Sequence, residues 1–166
     1  MDVAIIFGSA SDKEKMAGAA KCLDEFGLEY KAFIASAHRV PELLETILKE
    51  AVDSGAKAII AGAGLAAHLP GVIASKVTIP VIGVPLDAAL GGQDALYSIV
   101  QMPKGIPVST VGINNSYNAA MTAVEIIGTS NQQVAAQLKE YRENMKKKFT
   151  AEPINFNKNT IKEKAK

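Results

Sequence analysis

The sequence predicts an α/β fold, a doubly wound parallel sheet covered by helices on both faces in three layers. Three observations carry this. Short continuous apolar runs, such as Val3-Ala4-Ile5-Ile6-Phe7, suit strands buried on both faces. Stretches with helical spacing alternate with these runs, as βαβ units require. Glycine and proline punctuate nearly every boundary between the two. The chain has 166 residues, of which 48% are hydrophobic, which suits one domain with a core of its own.

The first strand, Val3 to Phe7, ends in Gly8. A helix over Asp12 to Phe26 carries Met16, Ala19, Ala20 and Leu23 on one side and stops at Gly27. Glu29 to Ala35 reads as the second strand. Pro41 suits a first helical turn, and Leu43, Leu44, Ile47, Leu48, Ala51 and Val52 form the stripe of a helix closed by Ser54-Gly55. Ala58 to Ala61 is the third strand, followed by a Gly/Ala-rich stretch from Gly62 to Gly71. The fourth strand, Val81 to Val84, lies between Pro80 and Pro85, and the fifth is Val108 to Val111. Further helices are predicted near Gly92–Gln101, Tyr117–Ile127 and Asn131–Lys147. In domain terms, residues 1–150 form one flavodoxin-like domain that includes the last helix, and 151–166 form a Lys-rich tail with little to bury, expected to be loose.

Charge and composition exclude several classes. The net charge of +1 divides into −4 before Lys139 and +5 from there on. Aromatic residues do not interleave with the C-terminal lysines in the way a single-strand binder would need, so no nucleic-acid partner is expected. The one cysteine, Cys22, rules out an internal disulfide framework and sits in a helical stripe as a core residue. No apolar run is long enough to span a membrane, and Met1-Asp2-Val3-Ala4 lacks the basic start of a secretory signal, so a cytoplasmic protein is expected.

Doubly wound sheets bind ligands beyond the carboxyl ends of their strands. After the first strand comes Gly8-Ser9-Ala10-Ser11-Asp12 at a helix start, which suits either a phosphate or a plain capped turn with Asp12 as N-cap. After the second comes Ser36-Ala37-His38-Arg39. Arg39 offers a planar fork to an anion, and a neutral His38 beside it can take or give a proton. After the third, Gly62 to Gly71 contains His68, which either touches a ligand or holds the loop. After the fourth, Leu86 to Gly92 is again rich in small residues. Two histidines without a third ligand argue against a metal, and no Gly-x-Ser-x-Gly elbow supports a nucleophilic serine.

Gly8 to Asp12, Ser36 to Arg39, Gly62-Ala-Gly-Leu-Ala-Ala-His-Leu-Pro-Gly71 and Leu96-Tyr-Ser-Ile-Val-Gln-Met-Pro-Lys-Gly-Ile-Pro107 resemble the N5-carboxyaminoimidazole ribonucleotide mutase family of purine biosynthesis, the catalytic subunit of phosphoribosylaminoimidazole carboxylase. The resemblance runs from Val3 to Arg142, and its His-Leu-Pro-Gly segment is similar to the mutase class. It implies a flavodoxin-like homo-octamer with sites between subunits and the last helix packed on a neighbour. A small nucleotide is the implied substrate, with no cofactor and no metal. By the same resemblance His38 is the catalytic proton shuttle and His68 the second histidine, near the carboxylate pocket. Ser9, Ser11 and Arg39 hold the phosphate, Asp12 meets the ribose, and Ser36, Ala37, Gly64 and Leu69 complete the binding set. The implied reaction moves a carboxylate from nitrogen to ring carbon by decarboxylation and recarboxylation; the alternative is direct carboxylation of aminoimidazole ribonucleotide by CO2. This sequence departs from the family at Val40, where Thr is frequent, at Leu65, where Gly is common, and at Gly91-Gly92.

Overall fold

The computed structural model describes residues 1–147 and Phe149. Its five parallel strands are β1 (Val3–Phe7), β2 (Tyr30–Ile34), β3 (Ala58–Gly64), β4 (Val81–Leu86) and β5 (Ser109–Thr110), in the order β2-β1-β3-β4-β5. That is the flavodoxin-like order, with its switch point between β1 and β3. Six helices accompany them: α1 (Lys13–Glu25), α2 (Pro41–Asp53), α3 (His68–Ala74), α4 (Gln93–Val100), α5 (Ser116–Gly128) and α6 (Gln132–Lys147).

Strand alternation divides the interior in two. Val3, Ile5 and Phe7 of β1, with Ile60, Ile82 and Val84, pack against Met16, Ala19, Cys22 and Leu23 of α1 and the small residues of α5. Ala4, Ile6, Ile59 and Ala61 point the other way, onto Leu44, Ile47 and Leu48 of α2, Ile73 of α3 and Ile99 of α4. Each fully buried Ile or Leu contributes roughly 1.5–3 kcal/mol relative to exposure, so both layers are needed. One glycine marks how closely they pack: a Cβ added at Gly62 of β3 would overlap the Met16 sulfur of α1.

Several boundaries differ from the sequence reading for local reasons. α3 is a helix where a small-residue loop was expected. Its Pro70 lies in the first turn, where the missing N–H would be unpaired anyway, and Leu69 and Ile73 are buried. β4 continues through Pro85 to Leu86. β5 pairs only with Ile82 and Gly83, so no neighbouring strand needs an N–H from Pro85, whose carbonyl accepts instead from the Asn114 N–H at 2.8 Å. On α2 the buried stripe is Leu44, Ile47, Leu48 and Ala51, while Leu43 and Val52 face outward.

The last helix seats Val134, Leu138 and Tyr141 on the chain's own α1 and α5 layer and leaves Met145 exposed. The Asn131 side chain caps its start, accepting from the N–H groups of Gln133 and Val134 at 3.0 and 3.2 Å. The Tyr117 hydroxyl donates to Glu25 at 2.5 Å and lies 3.1 Å from the Tyr141 hydroxyl, so one polar knot joins α1, α5 and α6. The tail 151–166 lies outside the described residues. No helix among the described residues is long and apolar enough to cross a membrane.

Candidate active site

A cleft of about 630 Å³ opens at the carboxyl ends of β1 and β3, where the order of the strands reverses. Parallel strands release all their loops at this edge, which is why separate sequence segments meet there. Ser9, Ser11, Asp12, Ser36, Ala37, His38, Arg39, Gly64, His68 and Leu69 all line the cleft. The structure therefore brings together all ten candidate catalytic and binding residues, while of the small-residue loop Leu86–Gly92 only Ala88 reaches the cleft and the Leu96–Pro107 segment does not. Gly8, Ala63, Leu65, Ala66, Ala67 and Ala88 complete the lining.

The loop after β1 makes a one-turn 3₁₀ segment at Ala10–Asp12 before α1 begins. Its cap is Ser9, not Asp12. The Ser9 Oγ accepts from the Ser11 N–H at 3.3 Å and lies 2.8 Å from the Ser11 Oγ, while Asp12 makes no cap bond with its side chain. Ser9 is extended, with φ −149°, which suits a cap; Asp12 has already turned helical. The Asp12 carboxyl, not used as a helix cap, lines the cleft instead. Burial pushes its pKa above the ordinary value of 3.8, while the Lys15 charge and a hydrogen bond from the Ser9 backbone pull it back down.

Residues 37–39 form a tight turn between β2 and α2. Ser36 closes it twice: its carbonyl accepts from the Val40 N–H at 3.0 Å, and its Oγ accepts from the Arg39 N–H at 3.3 Å. One arm of the Arg39 guanidinium donates to the Gly8 carbonyl at 2.9 Å, which draws the cation across to the serine loop. Two hydroxyls, a guanidinium and the start of a 13-residue helix now share one end of the cleft. That combination grips an anion such as a phosphate monoester.

The two histidines meet at the other functional point. His38 Nε2 lies 2.8 Å from His68 Nδ1, with the rings edge to face at 85° and centroids 4.9 Å apart. A hydrogen bond between ring nitrogens needs one to carry hydrogen and the other to be bare, so a proton can be held between the rings. His68 reaches this position as the first residue of α3, after Leu65 and Ala67 take left-handed conformations at φ 56° and 42°. Such φ values in residues other than glycine cost on the order of 1–2 kcal/mol each. They turn the chain sharply enough to bring His68 back over the sheet edge. The buried Leu69 and the alanines beside it leave apolar wall around the pair.

Sequence reasoning missed two contributors. The Gly8 carbonyl is a backbone group with no signature. Lys15, on the first turn of α1, donates to the Asp87 carbonyl in the loop after β4, a contact across 72 positions that no local pattern shows. Among the described residues no three His, Cys, Asp or Glu side chains group as metal ligands would.

Known proteins are similar to this chain. The family model for AIR carboxylase matches residues 2–148. A protein of Methanocaldococcus jannaschii named N5-carboxyaminoimidazole ribonucleotide mutase is 55% identical over 149 residues, spanning 90% of this chain and 93% of that one. One of the same name from Thermotoga maritima is 51% identical over 146 residues, 87% of this chain and 85% of that one. The phosphoribosylaminoimidazole carboxylase of Schizosaccharomyces pombe is 50% identical over 145 residues, which are 87% of this chain and 26% of that longer protein. Among solved structures, Treponema denticola PurE superposes with a TM-score of 0.81 at 32% identity, covering 88% of this chain and 92% of that one.

Proposed function

We propose, from the premise that the chain belongs to the AIR carboxylase family, that it is an isomerase of purine biosynthesis converting N5-carboxyaminoimidazole ribonucleotide to 4-carboxy-5-aminoimidazole ribonucleotide. The observation that carries the reading is the His38–His68 pair, 2.8 Å apart, in the same cleft as Arg39 and the Ser9–Ser11 hydroxyls. A nucleotide monophosphate has an anion at one end and a reacting ring at the other, and the cleft offers a matching group for each.

In this reading the phosphate sits on Ser9, Ser11 and Arg39, and the Asp12 carboxylate accepts from the ribose hydroxyls. Ser36, Ala37 and Gly64 present backbone and small side chains along the nucleotide, where larger groups would block it. The carbamate N–C bond breaks, its electron pair stays on nitrogen, and His38 delivers a proton there. The freed CO2 is held by Leu69 and the small residues beside it, away from bulk water. The ring carbon C4 then uses its own electron pair to form the new C–C bond. His38 takes the C4 proton that this displaces, so the proton lent in the first half returns in the second. His68, hydrogen-bonded to His38, keeps the ring oriented and shares the proton between halves.

The same reading makes the protein a cytoplasmic homo-octamer. Leu90, Tyr97 and Val100 support the assembly, being 78%, 58% and 51% exposed, more apolar surface than one helix and its approach loop leave bare without a partner. Residues 1–150 then act as one catalytic domain with 151–166 as an appendage, and the outer face of α6, with Met145, packs against a neighbour. Turnover separates the chemistry. Given N5-carboxyaminoimidazole ribonucleotide in buffer stripped of bicarbonate, the protein is expected to form the C4-carboxylated product rapidly. Product only from aminoimidazole ribonucleotide at high CO2 would replace this reading with a direct carboxylase, and no product under either condition would leave a binding module.

A further inference from the structure

The loop after β4 forms one wall of the cleft through Ala88. It lies against the end of β3: a Cβ added at Gly64 would come 2.8 Å from the Ala88 Cβ. Its backbone turns through three left-handed residues, Leu90, Gly91 and Gly92, at φ 46°, 63° and 80°, of which Leu90 alone carries a Cβ and is strained. Two side chains grip it from different directions. The Asn114 Oδ1 accepts from the Asp87 N–H at 3.0 Å, and the Lys15 ammonium donates to the Asp87 carbonyl. Lys15 itself stands on firm ground, since the buried Ser116 hydroxyl donates to its carbonyl at 2.6 Å. Asp12 precedes Lys15 by three positions, so the two side chains are neighbours along the helix start.

We propose that Lys15 is a positioning residue for this site, its ammonium clamping the loop after β4 to the helix start that carries Asp12 and so fixing the Ala88 wall and the sugar-binding carboxylate together. The proposal rests on the reading of Asp12 as the group that meets the ribose; the clamp itself rests on contacts alone. Lys15 does not line the cleft and acts through its neighbours. Its charge also opposes the rise that burial causes in the Asp12 pKa. The other charged or titratable groups that line the cleft with Asp12 are His38 and Arg39 from the β2 loop and His68 from α3, and Asp87 lies on the loop that Lys15 grips.

The test compares Lys15→Met with Lys15→Arg, both good helix formers, and Lys15→Gln repeats the loss of charge should Met not fold. Amide hydrogen exchange across Asp87–Gly92 reads the clamp directly, whatever reaction the protein catalyses. In Lys15→Met it is expected to quicken about tenfold, the scale of one lost charge-assisted hydrogen bond. KM for N5-carboxyaminoimidazole ribonucleotide is expected to rise about tenfold with kcat within about twofold. The acid limb of kcat/KM is expected to move to higher pH, because Asp12 without its cation binds a proton more readily. Lys15→Arg is expected to restore all three. Unchanged exchange in Lys15→Met, a loss in kcat at constant KM, or an Arg variant no better than Met would overturn the proposal. A wild-type protein without turnover would instead overturn the isomerase reading, and the exchange comparison would still decide the clamp.

Discussion

Replacing His38 by Asn removes the proposed proton carrier and little else. Residue 38 is exposed on a three-residue turn that Ser36 closes, so the substitution touches no core packing and no turn bond. Stability is expected to change by no more than about 0.5 kcal/mol. The Asn amide ends short of the position of His38 Nε2, so the 2.8 Å bond to His68 Nδ1 is lost, and the amide cannot hold a proton near neutral pH. Loss of general acid–base catalysis is worth about 10²–10⁴-fold, equivalent to about 3–5.5 kcal/mol of barrier, and should appear in kcat. KM should move little, because the proposed phosphate grip at Ser9, Ser11 and Arg39 is intact. The assay is steady-state conversion of N5-carboxyaminoimidazole ribonucleotide, with thermal melts to verify the fold. Because the two rings share one hydrogen bond, adding His68→Asn to His38→Asn should cost at most about threefold more, a strongly non-additive result. A folded His38→Asn protein within about threefold of wild-type kcat would refute the assignment.

Arg39→Lys keeps the charge but loses the fork, so KM should rise about tenfold or more with kcat less affected, measured in the same assay. Gly62→Ala should destabilise the protein by about 1–3 kcal/mol in urea unfolding, because the new methyl overlaps the Met16 sulfur in a full core. Cys22 is fully buried, and burial first, then the Glu25 carboxylate, pushes its thiol up to about 12 from an ordinary 9.0. Native protein should therefore resist thiol-specific reagents at pH 8 and react once unfolded. The same shift sets a pH dependence: the folded state holds the Cys22 proton more tightly, so its contribution to stability is complete below pH 9.0 and is lost as pH rises towards about 12, which denaturant titrations at stepped pH would record.

How far the site is legible in the sequence depends on the fold's physics. Strands buried on both faces read as unbroken apolar runs, so Val3–Phe7 announces itself, and a parallel sheet delivers the segment after each run to one edge. The residues after Phe7, Ile34 and Gly64 can therefore be grouped from their order alone. Features set by tertiary contact are not legible. α3 has only seven residues and contains both Pro70 and Gly71, so its Leu69–Ile73 spacing is too short a signal. The exchange of capping roles between Ser9 and Asp12 depends on a 3₁₀ turn that nothing local demands. The left-handed turns at Leu65 and Ala67 run against residue preference and are held by the packing around them. Lys15 reads as one more charged position on a helix, because its partner is a backbone carbonyl supplied by a distant loop.

In the proposed reaction the carboxylate leaving nitrogen is the one that arrives on carbon, without mixing with solvent. Substrate labelled with ¹³C in the carbamate carboxyl, turned over in unlabelled bicarbonate buffer, measures this directly by mass spectrometry of the product. The C4 carboxylate is expected to retain the ¹³C. A product whose carboxylate matches the isotope content of the dissolved CO2 would contradict it.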